Sequence, residues 1–430
     1  MVKDMMCRGD GGCVGHALVL LASVTCAITA CGSGSLNPPG PDAGAAGSGG
    51  TTTAPGPTPR LPPSDVVPGT FDPAGRKIDV LFLIDNSPSM VAMQNRLMVG
   101  FPAFIDALGA LAGGLPDLHI AVVTSDLGAG DGSISGCMQN GDAGSFRHAP
   151  MGPCTATTLA PGATFIAAGG AQNPQTNFTS PDITSVFSCI AAVGEHGCGF
   201  EHQLGAVARA LGADGELAPV GNDGFLRPDA ALAIVLVTNE DDCSAPVTSP
   251  LYDATQNISL NSAMGPPSNF RCNEFGHVCS LNGAAPAPPS RFSPGQDISA
   301  TVTYSEPGGA DSCAPAETEG ALFPVADYVR NIKSLKADPA RRIVVAALTG
   351  QTTPYVVGWK NPSTVDTGFW PAIGHSCGAP WDEGFADPAI RIQAFVRAFG
   401  TNGSVFSICD ADYSPPLRGI ATQIGHVIAP

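Results

Sequence analysis

Ile78-Asp79-Val80-Leu81-Phe82-Leu83-Ile84-Asp85-Asn86-Ser87-Pro88-Ser89 is the stretch that decides the fold. From Ile78 to Ile84 it is apolar with one interruption, Asp79, and does not alternate, which describes a strand covered on both faces. Polar side chains then fall at alternate positions, Asp85, Ser87 and Ser89. Beyond them Leu97, Phe101, Phe104, Ile105 and Leu108 recur at the three-and-four spacing of a helix face. Pro102, which lacks an N–H, is expected to kink that helix. A strand, a polar turn and a helix in succession form one half of a strand–helix–strand unit.

Four further runs read as buried strands: His119 to Thr124, Leu232 to Thr238, Ile343 to Leu348, and Val405 to Ile408. Thr164 to Ala167 is expected as an edge strand beside the second. Helical patterns lie between, at Asp182 to Val193, Glu201 to Leu211, Leu322 to Leu335 and Pro416 to Val427, with another carried by Ile390, Ile392, Phe395, Val396 and Phe399. The expected fold class is α/β, a doubly wound, mostly parallel Rossmann-like sheet with right-handed crossovers, spanning 76–430. Two stretches break the alternation, at about 243–321 and 351–385, both rich in Pro, Gly, Ser and Asn. They read as insertions stapled by disulfides, the cysteines supplying order that regular secondary structure does not.

The beginning of the chain has another character. Residues 1–30 hold Lys3 and Arg8, then an apolar run from Ala17 to Ala30, the shape of a signal peptide. Ile28-Thr29-Ala30-Cys31-Gly32 resembles the bacterial lipobox, so Cys31 is the expected lipidation site, and two acyl chains hold a protein stably on a membrane. Residues 31–75, rich in Pro, Gly, Ala, Ser and Thr, read as an extended tether. The expected location is that of an exported bacterial lipoprotein of the outer membrane, on its periplasmic or cell-surface side, touching the membrane through the lipid anchor only. Ten cysteines follow Cys31, an even set that reads as disulfides in an exported chain. Proximity favours Cys137 with Cys154, Cys189 with Cys198 and Cys272 with Cys279; Cys243 with Cys313 and Cys377 with Cys409 follow by elimination.

The balance of 37 Asp plus Glu against 20 Lys plus Arg gives a net charge of −17, and no segment gathers the basic residues needed to neutralise a phosphate backbone. A nucleic-acid partner is therefore not expected. With 53 glycines and 40 prolines, much of the chain must be loop.

In open α/β sheets, ligands sit beyond the carboxyl ends of the strands at the switch point in strand order. Asp85 lies at such an end, and one carboxylate with two hydroxyls can converge on a small hard cation: Mg²⁺ or Ca²⁺, with Mn²⁺ a further candidate. Asp85-Asn86-Ser87-Pro88-Ser89 after an apolar strand resembles the metal-ion-dependent adhesion site of von Willebrand factor type A domains, the family of the integrin I domains. That resemblance implies a binding module and not an enzyme: the metal accepts a carboxylate from a protein ligand. It also implies a threonine from a second loop and an aspartate after the fourth strand. This sequence departs from the pattern at both, with Glu201 at the threonine position and Asn239 at the aspartate position, and with Glu240 and Asp241 next along the chain as alternative ligands. An extra carboxylate from Glu201 would favour Ca²⁺ or a neutral ligand oxygen; as a helix-leading acid, Glu201 also fits the macrodipole.

Weaker signals stand beside this one. His196, Cys198 and His202 have no structural-zinc spacing. Gly374-His375-Ser376-Cys377-Gly378 near Asp382 has a catalytic look, yet there is no Gly-x-Ser-x-Gly elbow. Asp126 and Asp131 flank glycines and read as turn residues ahead of a second cation site. Asn177-Phe178-Thr179 and Asn257-Ile258-Ser259 match the glycosylation triplet without a setting that would use it. Three functions remain: a cation-dependent protein-binding module, a scaffold with a degenerate site, and a hydrolase housed in the insertions.

Overall fold

The structure, a computed structural model, describes residues 76–429 except 131, 150–153, 155–158, 172, 181, 254–258, 306–307, 319, 361–368 and 379–383. The signal peptide, Cys31 and the tether, with Asp131, Asp382, Asn257 and Ile258, lie outside the described residues. Among the described residues no helix is long and apolar enough to cross a membrane.

In chain order the main elements are β1 (Lys77–Ile84), α1 (Val91–Gly109), β2 (Asp117–Thr124), β3 (Ile166–Ala168), α2 (Ile183–Ala191), α3 (Gln203–Ala210) and β4 (Ala231–Val237). There follow α4 (Phe270–Gly276), β5 (His277–Cys279), β6 (Val302–Tyr304), β7 (Cys313–Pro315), α5 (Val325–Lys333), α6 (Pro339–Arg342) and β8 (Ile343–Thr349). The chain ends through β9 (Tyr355–Lys360), β10 (Trp370–Gly374), α7 (Ile390–Arg397), β11 (Gly403–Ser407) and α8 (Ser414–Ile428). Six strands form the main sheet in the order β11-β8-β4-β1-β2-β3. All pairings are parallel but β2 with β3, which is antiparallel. Counted along the chain within this sheet, the order is that of a doubly wound fold, with the switch between β1 and β4.

Continuous apolar strands are what two helical layers demand. Alternate residues of β1, Phe82 among them, pack on one face with α1, α2 and α8, where Phe101 and Phe187 stack at 3.6 Å and Phe82 meets Phe187 edge-on at 4.9 Å. Leu81 and Leu83 pack on the other face with α3, α5 and α7. Pro102 does not interrupt α1, which runs from Val91 to Gly109 as one helix. It sits on the exposed side, where solvent can satisfy the carbonyl it leaves unpaired, while Leu97, Phe101, Phe104 and Leu108 anchor the buried side.

The two insertions are ordered differently from the sequence expectation. The first contributes α4, β5, β6 and β7, and the second β9 and β10. They join, because β6 of the first pairs with β9 of the second in a three-stranded sheet, β10-β9-β6. Phe270, Tyr304, Tyr355, Val357, Trp359 and Ile373 give this region a core of its own. Regular structure and burial thus share with the disulfides the work of ordering it.

The disulfides correct four of the five expected pairings. Cys137 bonds Cys198, Cys154 bonds Cys189, Cys243 bonds Cys272 and Cys279 bonds Cys313; Cys377 with Cys409 matches the expectation. Nearness along the chain misleads where a helix intervenes. Cys189 belongs to α2, whose buried face packs on the α1 side of the sheet, whereas Cys198 is buried among the loops with Cys137 and Cys243. Cys279 and Cys313 face each other across the β5–β7 ladder.

Candidate functional site

Sheet register builds the site. Ile84 pairs with Thr124 on one side and with Val237 on the other. The next residues, Asp85, Ser125 and Thr238, therefore emerge side by side at the carboxyl edge. Asp85 Oδ2 accepts from Thr238 Oγ1 at 2.7 Å, and its Oδ1 accepts from the Ser87 N–H at 2.8 Å and from Ser125 Oγ at 3.3 Å. Gln94 of α1 donates to the Asp85 carbonyl at 3.0 Å, pinning the turn from inside. Asp85 is 0% exposed, and burial pushes its carboxyl up, against the pull of these donors.

Ser87 and Ser89 have their hydroxyls 3.3 Å apart, and Asn239 bridges to Ser89, its Nδ2 lying 3.1 Å and its Oδ1 3.3 Å from the Ser89 hydroxyl. The loop that carries Glu201 is tied to the strands by backbone bonds from His202 N–H to Ser125 C=O at 2.9 Å and from Cys243 N–H to Glu201 C=O at 2.8 Å. Its glycine at 197 lies so close to the Asp85 turn that a Cβ there would run into the Asn86 side-chain amide. Glu201 is 2% exposed, and its Oε1 has no hydrogen-bond partner. Burial and then the carboxylates of Glu240 and Asp85 push its carboxyl well up, and it shares a hydrogen bond with Glu240. Glu240 is itself pushed up to about 8 by burial, Asp387 and Asp85.

Four consecutive residues after β4 take four separate tasks. Asn239 faces Ser89, and Glu240 faces Glu201. Asp241, considered from the sequence as an alternative ligand, has both oxygens engaged elsewhere. It accepts from the Arg391 and Ile392 N–H groups at the start of α7, at 2.8 and 3.0 Å, and stands 2.9 Å from His277 Nε2. Burial opposes its ionisation, yet the His277 contact and those N–H groups hold its carboxyl below the usual range. Asp242 pairs with the buried Arg391 at 3.0 Å and accepts from the Leu204 N–H of α3 at 2.9 Å.

Asp85, Ser87, Ser89, Glu201, Asn239 and Glu240 are thus brought together, while Asp241 is spent on packing. Thr238, Ser125 and Gln203, whose Nε2 donates to Thr238 Oγ1 at 2.9 Å, were not singled out from the sequence. For Thr238 and Ser125 the signal was available, since Thr238 ends one expected strand and Ser125 directly follows another. Among the described residues no three His, Cys, Asp or Glu side chains stand gathered as a metal-binding group; the acids here are interleaved with hydroxyls and amides.

The weaker signals resolve into structure. Cys198 is in a disulfide, and His202 is buried against Tyr252, its imidazole pushed down to about 4 by burial. Cys377 is also in a disulfide, and His375 pairs at 2.7 Å with Asp387. Asp126 accepts from the Gly128 N–H at 2.8 Å, a turn contact. Asn177 uses its amide on the backbone of Phe165 and Ala167, at 2.9 and 2.8 Å.

No protein-family profile matches the sequence, and no curated protein matches it. Among solved structures it is similar to the pilus adhesin SpaC of Lactobacillus rhamnosus GG in its open conformation. The identity is 10% and the TM-score 0.32, over 82% of this chain and 30% of that one. It is also similar to the pilus adhesin RrgA of Streptococcus pneumoniae, at 13% identity and a TM-score of 0.19, over 47% of this chain and 24% of that one. This chain spans less than a third of either adhesin's length, and neither likeness is close enough to transfer a fold assignment or a function.

Proposed function

We propose that this is an exported, envelope-anchored binding protein on a von Willebrand factor type A-like sheet, holding a divalent cation at the Asp85 turn and binding a protein partner through it. The observation that carries this reading is the convergence of Asp85, Ser87, Ser89, Asn239 and Glu201 at the switch point between β1 and β4. The donor set fits Mg²⁺, Ca²⁺ or Mn²⁺, being hard oxygens with no sulfur, and Glu201 Oε1 is a buried acceptor without a donor. Because Asp85 already accepts three hydrogen bonds, its role is to supply negative charge and orient the turn. Ser87 Oγ, Ser89 Oγ and Glu201 are the atoms left to approach the ion. The cation in turn supplies an electrophilic position for a partner's oxygen, reached past the half-buried Ser89. The five disulfides among the described residues support an oxidising compartment, as a lipid-anchored envelope protein would occupy.

The complete burial of Asp85 and the three hydrogen bonds its oxygens accept favour a second reading, a scaffold in which the same residues only close the sheet edge. Equilibrium dialysis against Mg²⁺ and Ca²⁺, followed by capture of partners from the producer's envelope with and without EDTA, separates the two. The binding reading expects cation uptake and a partner that is lost both in EDTA and with Asp85→Ala. A partner retained under both conditions would select the scaffold.

A further inference from the structure

A second group of acids stands beside the first and shares Glu201 with it. Glu201, Glu240, Asp387, Asn269 and Asn273, with the committed Asp241, line a cavity of about 10 Å³, close to the space one water or small ion occupies. They come from four parts of the chain: the loop before α3, the loop after β4, the first insertion, and the segment between the second insertion and α7. The Cys243–Cys272 disulfide fastens α4, which carries Asn273, to the β4 loop. No lysine or arginine is among the lining residues, and the buried Arg391 guanidinium of α7 is paired with Asp242. Asn269 donates to Glu240 Oε2 at 3.2 Å, and His375 Nδ1 lies 2.7 Å from Asp387 Oδ1. Glu201 and Glu240 also share a hydrogen bond, yet three carboxyl groups remain without a cation among their lining, and Glu201 Oε1 lies buried among them with no donor. Carboxylates removed from water with neither a counter-charge nor enough donors are costly.

We propose that Glu201, Glu240 and Asp387, with the Asn269 and Asn273 amides beside them, form a second cation site of the Ca²⁺ class that fastens the first insertion and the segment before α7 to the β4 loop. Carboxylate and amide oxygens suit Ca²⁺, which accepts an irregular shell, better than Mg²⁺, which needs near-octahedral geometry. The carboxyl groups are ranged around the cavity and not gathered at one point, so the ion must draw Glu240 and Asp387 inward. Uptake therefore tightens the join between these segments and the sheet. This site does not depend on the Asp85 turn holding a cation.

The test is Ca²⁺ bound per chain, by equilibrium dialysis with metal quantification, for the whole protein, for Glu240→Gln with Asp387→Asn, and for Asp85→Ala. The expected result is that the double variant loses one ion that Asp85→Ala retains, and that Ca²⁺ slows hydrogen exchange around α4 in the wild type but not in the double variant. Should the double variant not fold, Glu240→Gln alone keeps the carboxyl's shape and is expected to weaken this ion about tenfold or more. A double variant that binds as many ions as the wild type overturns the proposal and leaves the Asp85 reading standing. One ion lost equally in both variants also overturns it, since that describes a single shared site. No Ca²⁺ bound by the wild type overturns both readings.

Discussion

Strand β1 carries a fully buried aspartate near each end, and their surroundings differ in kind. Near the amino end, Asp79 receives the Arg227 guanidinium and backbone N–H, each at 2.7 Å, with Lys336 at 3.8 Å and His119 at 3.7 Å. Past the carboxyl end, Asp85 receives two hydroxyls and one backbone N–H, and its charged neighbours are the acids Glu201 and Glu240. Burial pushes both carboxyls up, but only at Asp79 do positive charges oppose it. The amino end is closed electrostatically from within the chain, whereas the carboxyl end has a surplus of negative charge held by dipoles. That asymmetry, on one strand in one sheet, is the physical ground for the proposal that one end takes a cation while the other is purely structural.

The largest test of the contrast is at the closed end. Arg227→Ala leaves Asp79 buried with its main counter-charge gone, and urea unfolding should show a loss of about 3–5 kcal/mol, equal in Ca²⁺ and in EDTA. A loss that divalent cations repair would break the contrast. At the other end, Asp85→Asn should stay within about 1 kcal/mol of the wild type in EDTA, since it removes a costly charge and keeps the shape. With a divalent cation at about a hundred times its dissociation constant, the wild type should gain about 2.7 kcal/mol that the variant does not. Equal gains in both proteins would remove Asp85 from the site.

Acidity gives a smaller effect with a definite sign. Glu240 has an unperturbed value of 4.5 and is pushed up to about 8 in the folded protein. Between those limits the folded state holds a proton that the unfolded state has released, so stability in EDTA should fall as pH rises, by no more than about 1.4 kcal/mol per pH unit for one proton. Glu240→Gln should flatten that slope, and a wild-type curve that climbs with pH across the window would contradict the uncompensated charge. Least of all in stability, Ser89→Ala gives up the hydrogen bond with Asn239 at a half-buried position, about 0.5–1.5 kcal/mol in unfolding experiments. Its cation affinity should nonetheless fall about tenfold, which isolates ligation from folding.

The insertions show where sequence reading stops. Strands that need two covered faces announce themselves by continuous apolar runs, so β1, β2, β4, β8 and β11 were all legible, as was the edge strand β3. Short strands such as β6 and β9 are three and six residues long and lie 50 residues apart, and nothing local says that Val302 will pair with Val357. The cysteines failed for a related reason. Their pairing follows from which loops meet above the sheet, and helices such as α2 carry a cysteine away from its sequence neighbour.

The site divides along the same line. By itself the sequence determined the turn that carries Asp85, Ser87 and Ser89, because a strand, a polar turn and a helix are set by local pattern. It also fixed the two departures, Glu201 and Asn239, as residues to be explained. Only the tertiary structure decided that Thr238 and Ser125 hold the Asp85 carboxyl, that Asp241 caps a helix while Glu240 turns toward Glu201, and that Asp387 comes to stand beside them. Those outcomes rest on register between strands far apart in the chain and on burial. Both are properties of the packed sheet, and no local window of residues contains them.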